Sequence, residues 1–195
     1  MSIIIPTRNR RVLLQATLAT LAEQTVDPAT FEVIVVADGP TDDTPAELAA
    51  LAATTNWAGR LHPLVQSWAG AAAARNRGLS AARGRWVLFL DDDVQAAPGL
   101  IAAHIARHTG GPPAGQVVLG HIVPHSLAGA LHQQLTLWWT DHYRRLADGA
   151  RWNALYTGNV SVPAEAARRA GGFDAAIAYG EDVAFGYALH EQGLP

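Results

Sequence analysis

Short β-branched runs alternate with longer Ala- and Leu-rich segments through the first half of the chain. Residues 31–37 (FEVIVVA) form the clearest apolar run, which is typical of a strand buried on both faces of a parallel sheet. Residues 11–24 instead carry apolar side chains at a spacing close to 3.6 residues, which predicts a helix. The alternation therefore predicts βαβ units and a Rossmann-like α/β/α sandwich with a mainly parallel central sheet.

The same patterns predict the remaining elements. We expect strands over residues 2–5, 31–37, 61–66, 86–90, 116–123 and 156–162. We expect helices over residues 11–24, 42–53, 69–82, 98–108, 127–146, 163–170 and 182–192, and a turn over 110–115. The first strand is predicted to end at Pro6, because proline has no amide to give to a central ladder.

Size and composition indicate one folded domain over residues 1–195. The 195 residues are 49% hydrophobic, which is enough apolar surface to offset the entropy of ordering the chain. A formal net charge of -3 argues against a general nucleic-acid binder. The absence of Cys excludes a disulfide scaffold, a thiolate nucleophile and a Cys-ligated metal site.

Membrane and targeting signals are weak. The first residues lack the basic-then-apolar order of a signal peptide, and no apolar run approaches the roughly 20 residues that span a bilayer. The predicted helix 127–146 carries Trp138, Trp139, Arg144 and Arg145, so it either lies on a membrane surface or packs its aromatic side chains into the core or along an acceptor cleft. We expect a cytoplasmic protein, with peripheral contact at the inner face of the membrane as the alternative.

Polar side chains follow three of the predicted strands. Residues 6–10 (PTRNR) follow the first strand, Asp38 and Gly39 follow the second, and residues 91–93 (DDD) follow the fourth. Ligands of parallel α/β sheets bind beyond the carboxyl ends of the strands. We therefore expect these residues to meet at one edge of the sheet and to form a ligand site.

The triplet Asp91, Asp92 and Asp93 is the strongest single signal. Three consecutive carboxylates repel one another, so a folded protein usually neutralises them with a cation. Oxygen ligands suit Mg²⁺ or Mn²⁺, which bind through one or two carboxylates together with substrate phosphates. The alternative is a solvated acidic turn before the next helix.

Two further polar segments are candidates for chemistry. Arg75 and Arg77 lie on a predicted helix just before the acidic strand, where a guanidinium can pair with a phosphate or a base edge. Their alternative is a surface ion pair. Glu181 and Asp182 stand where a loop meets a helix, and acidic residues there otherwise serve as partners of the helix dipole.

Seven short motifs occur in one order between residues 2 and 182. They are SIIIPTRNR (2–10), VVADGPTDDT (35–44), AARNRG (73–78), FLDDD (89–93), GNVSV (158–162), GGFD (171–174) and GED (180–182). In these motifs the chain resembles the inverting family 2 glycosyltransferases of the GT-A fold. The resemblance implies an N-terminal nucleotide-binding half over residues 1–110 and an acceptor-side half over residues 111–195.

The resemblance also implies a role for each matching position. The residues expected to bind the nucleotide are Pro6, Thr7, Arg8, Asp38, Arg75, Asp91 and Asp92. Among them, Asp38 would accept from a uracil-like base edge and Asp92 would lie near the ribose. The residues expected to hold a divalent metal (Mn²⁺ or Mg²⁺) through the donor diphosphate are Asp93 and Asp91. Asp182 would be the general base, and the wall between donor sugar and acceptor would be formed by Gly158, Asn159 and Glu181.

The implied activity is that of a hexosyltransferase. It is metal-dependent, inverting transfer of a sugar from a nucleotide-diphosphate sugar, with a UDP-sugar as first choice, to an acceptor hydroxyl. The acceptor would belong to a cell-surface polysaccharide, a glycolipid or a secondary metabolite. A carboxylate base suits this step, because the hydroxyl must lose its proton as it attacks the anomeric carbon. The metal and Arg75 would stabilise the charge on the leaving diphosphate.

The chain departs from the family pattern in two ways. Pro40 stands where the family usually has Ser, and the chain ends soon after Asp182, where family members generally continue with another strand and helix. That continuation often carries a His that completes the metal site. The available pairs are His104 with His108 and His121 with His125, although we expect these to be surface or helix-end residues.

Other classes are excluded or less well supported. The chain has no GxGxxG after a strand, no GxxxxGK[ST], no HExxH and no GxSxG, which argues against dehydrogenases, P-loop kinases, zinc proteases and serine hydrolases. A nucleotidyltransferase stays open, although it would carry a glycine-rich loop after the first strand. A non-catalytic nucleotide-sugar binding module is the second alternative.

Overall fold

A six-stranded sheet lies at the centre of the part of the chain that the computed structural model describes, which is residues 1–110, 116–124, 129–146, 149 and 151–194. The strands are β1 Ser2–Thr7, β2 Glu32–Asp38, β3 Leu61–Gln66, β4 Trp86–Leu90, β5 Val118–Leu119 and β6 Asn159–Pro163. The helices are α1 Arg11–Ala22, α2 Thr44–Ala52, α3 Ala71–Ala81, α4 Leu100–Thr109, α5 Gly129–Arg145, α6 Ala164–Arg169 and α7 Glu181–His190. His125 and residues 111–115 of the predicted turn lie outside the described residues.

The strand order is β3-β2-β1-β4-β6-β5. β1 pairs in parallel with β2 and β4, and β2 pairs in parallel with β3. β6 is antiparallel to both of its neighbours, β4 and β5. The predicted mainly parallel sheet is confirmed. The antiparallel direction of β6 was not predicted, because a buried apolar strand has the same run of apolar residues whichever way it lies in the sheet.

β1 continues through Pro6 to Thr7, two residues beyond the predicted end. Pro6 is in register with Val36 of β2 on one side, whereas the pairing of β1 with β4 covers only Ser2 to Ile4. The proline therefore lies where β1 has one neighbour instead of two, and its missing amide breaks no ladder hydrogen bond with β4. The extension carries Thr7 into the site described below.

Alternate residues of the central strands cover the two faces of the sheet. One face, which includes Ile4, Ile34 and Phe89, packs against α3, α6 and α7. The other face, which includes Ile3 and Leu88, packs against α1, α2 and α4. Both layers are apolar, so the βαβ pattern of the sequence becomes a three-layer sandwich.

β5 is much shorter than the strand predicted over 116–123. Beyond Leu119 the Gly120 amide still donates to the Asn159 carbonyl of β6 (2.8 Å), and the next backbone partner is a side chain. The Tyr143 hydroxyl of α5 accepts from the Ile122 amide (2.9 Å) and donates to the Gly120 carbonyl (3.1 Å). These hydrogen bonds satisfy backbone groups at the edge of the sheet and hold α5 against that edge.

No helix among the described residues combines the length and the apolar character that crossing a bilayer requires.

Candidate active site

The ends of β1, β2 and β4 surround a cavity of about 300 Å³. Its lining residues are Pro6, Thr7, Arg8, Arg10, Asp38, Trp68, Gly70, Ala71, Arg75, Asp91 and Asp92. All the residues predicted to bind the nucleotide are among them. The juxtaposition follows from topology, since parallel neighbouring strands deliver their carboxyl ends to the same edge.

A larger groove, of about 650 Å³, lies elsewhere on the molecule. It is lined by Gln116, Val117, Leu119, Gly149, Arg151, Trp152, Leu155, Gly186, Leu189, His190 and Leu194. None of these described lining residues carries a carboxylate, whereas the smaller cavity gathers several acidic and basic side chains. The chemistry, and not the volume, identifies the smaller cavity as the candidate active site.

Asp92 is buried and is held from two elements. Its Oδ2 accepts from the Thr7 hydroxyl (2.6 Å), and its Oδ1 pairs with Arg10 (2.7 Å). Its backbone carbonyl accepts from the Thr17 hydroxyl of α1 (2.9 Å). Burial raises the pKa of Asp92 above its usual value, while the Thr7 hydrogen bond and the Arg10 charge act in the opposite direction.

Asp91 and Asp93 each keep one carboxylate oxygen without a hydrogen bond in the described part of the chain. Asp91 binds Arg75 through Oδ1 (3.1 Å), and Asp93 binds Arg10 through Oδ2 (2.6 Å). Burial raises the pKa of Asp91, and the Arg75 charge opposes this while the Asp93 charge adds to it. The end of β4 is therefore a site of unfavourable negative charge that a cation would relieve.

The donor set suits a divalent metal that a substrate also ligates. No group of three metal-binding side chains converges among the described residues. The two spare oxygens of Asp91 and Asp93 match ions such as Mg²⁺, which bind through one or two carboxylates and complete their shell with water and phosphate. His104 does not face these oxygens, since it binds Asn159 and Ser161, as described below.

Arg75 joins the two sides of the site. Its buried guanidinium donates to Asp91 at the end of β4 (3.1 Å) and to Glu181 at the start of α7 (2.9 Å). Its Nε is also buried and has no hydrogen-bond partner in the described part of the chain. The first turn of α7, which carries Asp182, is thereby held next to the acidic end of β4.

Two motifs that are far apart in sequence meet beneath Arg75. Asn76 accepts from the Phe173 amide (2.8 Å) and donates to the Phe173 carbonyl (2.7 Å). The Phe173 ring then packs against the Arg75 guanidinium at 5.6 Å. The AARNRG and GGFD motifs therefore form one structural unit. Arg77, in contrast, is exposed.

Asp38 is buried, and its carboxylate orders the loop after β3. Oδ1 accepts from Gln66 (2.9 Å) and from the Ala69 amide (2.8 Å), and Oδ2 accepts from the Gly70 amide (2.8 Å). This loop carries Trp68, which is 66% exposed and lies beneath the Arg8 guanidinium at 5.3 Å. Gly39 follows Asp38 with φ +58°, and a Cβ there would lie 2.6 Å from the Trp68 Cβ, so only glycine fits both the turn and the contact.

Gly158 lies against Asp91 and Tyr156. The Asp91 amide donates to the Gly158 carbonyl (3.3 Å), and a Cβ at position 158 would clash with the Tyr156 ring and lie 3.1 Å from Asp91 Oδ2. Burial raises the pKa of Tyr156 to about 12, and the charges of Asp91, Asp93 and Asp182 add to the rise. The phenol therefore lies among the acidic groups of the site.

Asn159 is buried on the α4 side of the sheet. Its Oδ1 faces His104 Nε2 (3.0 Å), while His104 Nδ1 and His108 Nε2 both contact the Ser161 hydroxyl (2.7 Å each). An amide oxygen only accepts, so His104 carries its proton on Nε2, and Ser161 donates to Nδ1 and accepts from His108. Burial lowers the pKa of both histidines, to about 4 for His108.

Sequence reasoning did not select several residues that the structure brings into or beneath the site. Arg10 and Trp68 line the cavity, and His104 supports β6. Arg10 stood within the quoted PTRNR motif, and the i, i+4 spacing of His104 and His108 was noted but interpreted as a surface feature. Trp68 gave no signal, because a single Trp in a polar loop resembles any other surface aromatic residue.

The family comparison covers most of the chain: residues 2–158 match the model described as glycosyl transferase family 2. Validoxylamine A glucosyltransferase from Streptomyces hygroscopicus subsp. limoneus is 34% identical over 227 residues, covering 100% of this chain and 49% of the relative. PGL/p-HBAD biosynthesis glycosyltransferase from Mycobacterium bovis (strain BCG / Pasteur 1173P2) is 40% identical over 111 residues, covering 55% of this chain and 42% of the relative. The chain spans about half the length of the curated relatives it matches.

Solved structures share the fold at low sequence identity. TarS 1–349 of S. aureus superposes with a TM-score of 0.72 at 20% identity, covering 96% of this chain and 54% of TarS. Mannosyltransferase PcManGT from Pyrobaculum calidifontis, solved with GDP-Man and Mn²⁺, superposes with a TM-score of 0.68 at 21% identity, covering 93% and 49%. TarS has also been solved with UDP and with UDP-GlcNAc. The predicted GT-A fold is confirmed.

Proposed function

Because the chain belongs to glycosyl transferase family 2, we propose that it transfers a sugar from a nucleotide-diphosphate sugar to an acceptor hydroxyl with inversion at the anomeric carbon. We further propose that residues 1–195 act as one catalytic domain, with the nucleotide-binding half over 1–110 and the acceptor-side half over 111–195. The observation that carries the proposal is the bridge from Asp91 through Arg75 to Glu181, which unites the strand-end cavity with the helix of Asp182.

The donor would lie along the ends of β1, β2 and β4. The cavity offers a carboxylate at Asp38, an aromatic face at Trp68 and guanidinium groups at Arg8 and Arg75. The unpartnered Nε–H of Arg75 is a spare donor for a ligand oxygen. A UDP-sugar is our first choice of donor, which the UDP and UDP-GlcNAc complexes of TarS support, and a GDP-sugar is the next, as in PcManGT.

Asp182 would act as the general base. It stands in the first turn of α7, where its Oδ1 accepts from the Val183 amide (2.8 Å) and where it has no ion pair among the described residues. It would take the proton of the acceptor hydroxyl as that oxygen bonds to the anomeric carbon and the bond to the diphosphate breaks. The nucleoside diphosphate leaves with the electron pair, and Arg75 would stabilise its charge.

Asp93 and Asp91 would hold Mn²⁺ or Mg²⁺ through their spare oxygens. Such an ion, when bound, neutralises charge on the leaving diphosphate. The Mn²⁺ of the PcManGT complex supports this choice. Gly158 and Glu181 lie near this end of the cavity, and Asn159 would act from beneath it, by shaping the start of β6. Cytoplasmic location and membrane contact of α5 stay predictions from the sequence.

The substitution Asp182→Asn tests the function. Release of UDP from a panel of UDP-sugars, or of GDP from GDP-sugars, should fall by about 10²–10⁴-fold, because a positioned base contributes that factor. Donor affinity should stay within about twofold of the parent, since the substitution leaves the cavity intact. Glu191→Gln, at an exposed position just after α7, is the matched control and should release nucleotide at the parent rate.

Other outcomes point to other functions. Donor binding without any turnover in the parent chain would support a binding module. Equal turnover in the parent and in Asp182→Asn would remove Asp182 as the base.

A further inference from the structure

An aromatic cluster extends from the acidic end of the cavity to the surface. Tyr156 is 40% exposed, and its ring packs against Trp139 with the centroids 5.6 Å apart. Trp139 packs in turn against Trp138 at 4.9 Å, and Trp138 is 57% exposed. We call Tyr156, Trp139 and Trp138 the aromatic platform. No part of the nucleotide cavity lining belongs to it.

The platform is held in place by its neighbours. Trp139 stacks on Tyr143 at 5.6 Å, and the Tyr143 hydroxyl is fixed by Gly120 and Ile122 at the sheet edge. On the other side, Gly158 allows the Tyr156 ring to lie against the backbone beside Asp91. The rings are therefore presented by a fixed frame, which reduces the entropy cost of binding a ligand.

The surroundings of Tyr156 restrict what the platform can bind. A Cβ built on Gly158 would meet the Tyr156 ring and would also lie 3.1 Å from Asp91 Oδ2, so the ring lies close to a carboxylate of the site. This carboxylate disfavours an anionic ligand, and a lipid tail would need a continuous apolar cleft, which the carboxylate interrupts. A ligand with an apolar face and a hydroxyl-bearing edge fits, because the face can cover the ring while the hydroxyls reach the carboxylates.

We propose that the aromatic platform binds the acceptor, and that the acceptor is an uncharged ring polyol, a sugar or a cyclitol, whose C–H face stacks on Tyr156. The inference rests on the proposed function, since the bound ring would supply the hydroxyl that Asp182 deprotonates. Trp138 would extend the contact to a neighbouring ring of a larger acceptor.

Saturation-transfer NMR on the chain with Mg²⁺, in the absence and presence of UDP, tests the proposal. Irradiation of the protein aromatic protons should saturate the C–H protons of one face of methyl β-D-glucopyranoside and should saturate the open-chain polyol sorbitol far less. Tyr156→Ala should weaken the binding of the glucoside by about tenfold, whereas Tyr156→Phe should keep it, because stacking needs the ring and not the hydroxyl.

Trp152→Ala is the matched control. Trp152 is 38% exposed, contacts Tyr187 at 5.2 Å and lines the larger groove, which contains no platform residue, so its loss should leave the glucoside signal unchanged. Trp138→Ala, which removes a largely exposed ring, should weaken the binding by about threefold. This variant tests the platform if Tyr156→Ala does not fold.

The proposal is overturned if sorbitol and the glucoside give equal signals, if no glucoside signal arises with or without UDP, or if Tyr156→Ala binds like the parent. The experiment uses no sugar donor, so it is independent of the Asp182→Asn assay. Nucleotide release with no glucoside stacking would reject the platform and keep the transferase. Glucoside stacking without nucleotide release would keep the platform and reject the transferase.

Discussion

Arg75 is the single residue on which the geometry of the candidate site most depends. It is buried between Asp91 and Glu181, with Phe173 against its guanidinium. The planar guanidinium can reach two carboxylates at once, which the point charge of Lys cannot do. A buried carboxylate left without its partner is costly, so this residue couples stability to site geometry.

We expect Arg75→Lys to lower the free energy of unfolding by about 2–3 kcal/mol, because one of the two carboxylates loses its partner. Urea denaturation of the parent and the variant measures the change. Arg77→Lys, two residues along the same helix but exposed, should change the free energy by less than about 0.5 kcal/mol. Equal unfolding midpoints for Arg75→Lys and Arg77→Lys would show that the bridge does not stabilise the fold.

Gly158→Ala tests the contact between β6 and the acidic end of β4. The new Cβ would clash with the Tyr156 ring and crowd Asp91 Oδ2, so both groups must shift. We expect nucleotide release to fall by about 10–100-fold, because displacements near 1 Å cost that much in an active site.

Gly99→Ala is the control for this change, since a Cβ at Gly99 meets no described atom within 4 Å. It should release nucleotide like the parent. Unaltered release by Gly158→Ala would mean that the position of Tyr156 does not matter for turnover.

At the scale of elements, α4 and β6 are joined by neutral histidines. His104 and His108 lie one turn apart on α4 and meet Ser161 and Asn159 on β6. Burial lowers the pKa of both below the ordinary 6.5, to about 4 for His108. The network needs the neutral form, because His104 Nδ1 must accept from Ser161.

This network predicts a loss of stability in mild acid. As the pH falls from about 7 to 4, the unfolded chain takes up protons at these histidines before the folded chain does, so the free energy of unfolding falls by about 1–3 kcal/mol. Asp91 and Asp92 act in the opposite sense, since their raised pKa values make the folded chain take up protons first. The histidine contribution must therefore be measured as a difference between variants.

The double substitution of His104 and His108 by Gln keeps side-chain N–H donors and removes the titration. The free energy of unfolding of this variant, measured by urea denaturation, should depend less on pH than that of the parent between pH 7 and pH 5. His190→Gln, at an exposed position, should keep the parent dependence. An unchanged slope in the double variant would refute the role of the network, and His108→Gln alone serves if the double variant does not fold.

Most elements could be predicted from the sequence, because their signals are local. β3 and β4 begin and end where the apolar runs do, at Leu61–Gln66 and Trp86–Leu90. β5 was predicted far too long, because the sequence does not reveal that the Tyr143 hydroxyl takes over the edge hydrogen bonds. The terminal residues of the helices differ by a few positions, as expected where the last turn depends on capping.

At the scale of the whole molecule, donor and metal should stabilise the fold together. The nucleotide cavity joins β1, β2 and β4, so a bound donor bridges the centre of the sheet. With ligand at about 100 times its dissociation constant, binding adds about 2.7 kcal/mol and raises the Tm by about 5–10 °C. We expect UDP with Mn²⁺ to raise the Tm more than UDP alone.

Asp93→Ala should abolish the Mn²⁺-dependent part of this rise and keep the rise from UDP alone. Asp141→Ala, which removes an exposed carboxylate of α5, should keep both. A full Mn²⁺-dependent rise in Asp93→Ala, measured by thermal unfolding, would exclude Asp93 as a metal ligand.

The sequence by itself determined the α/β class, the order of most elements and the residues at the strand ends, because apolar periodicity and strand-end polarity are local properties of the chain. Only the tertiary structure decided that β6 runs antiparallel between β4 and β5, and that Arg75 binds both Asp91 and Glu181, the latter 106 residues further along the chain. The tertiary structure also decided that the Asp38 carboxylate orders the loop of Trp68 and that Tyr156 lies at the acidic end of the cavity. These features depend on which distant backbones pack together, and packing is a property of the folded chain that local patterns do not encode.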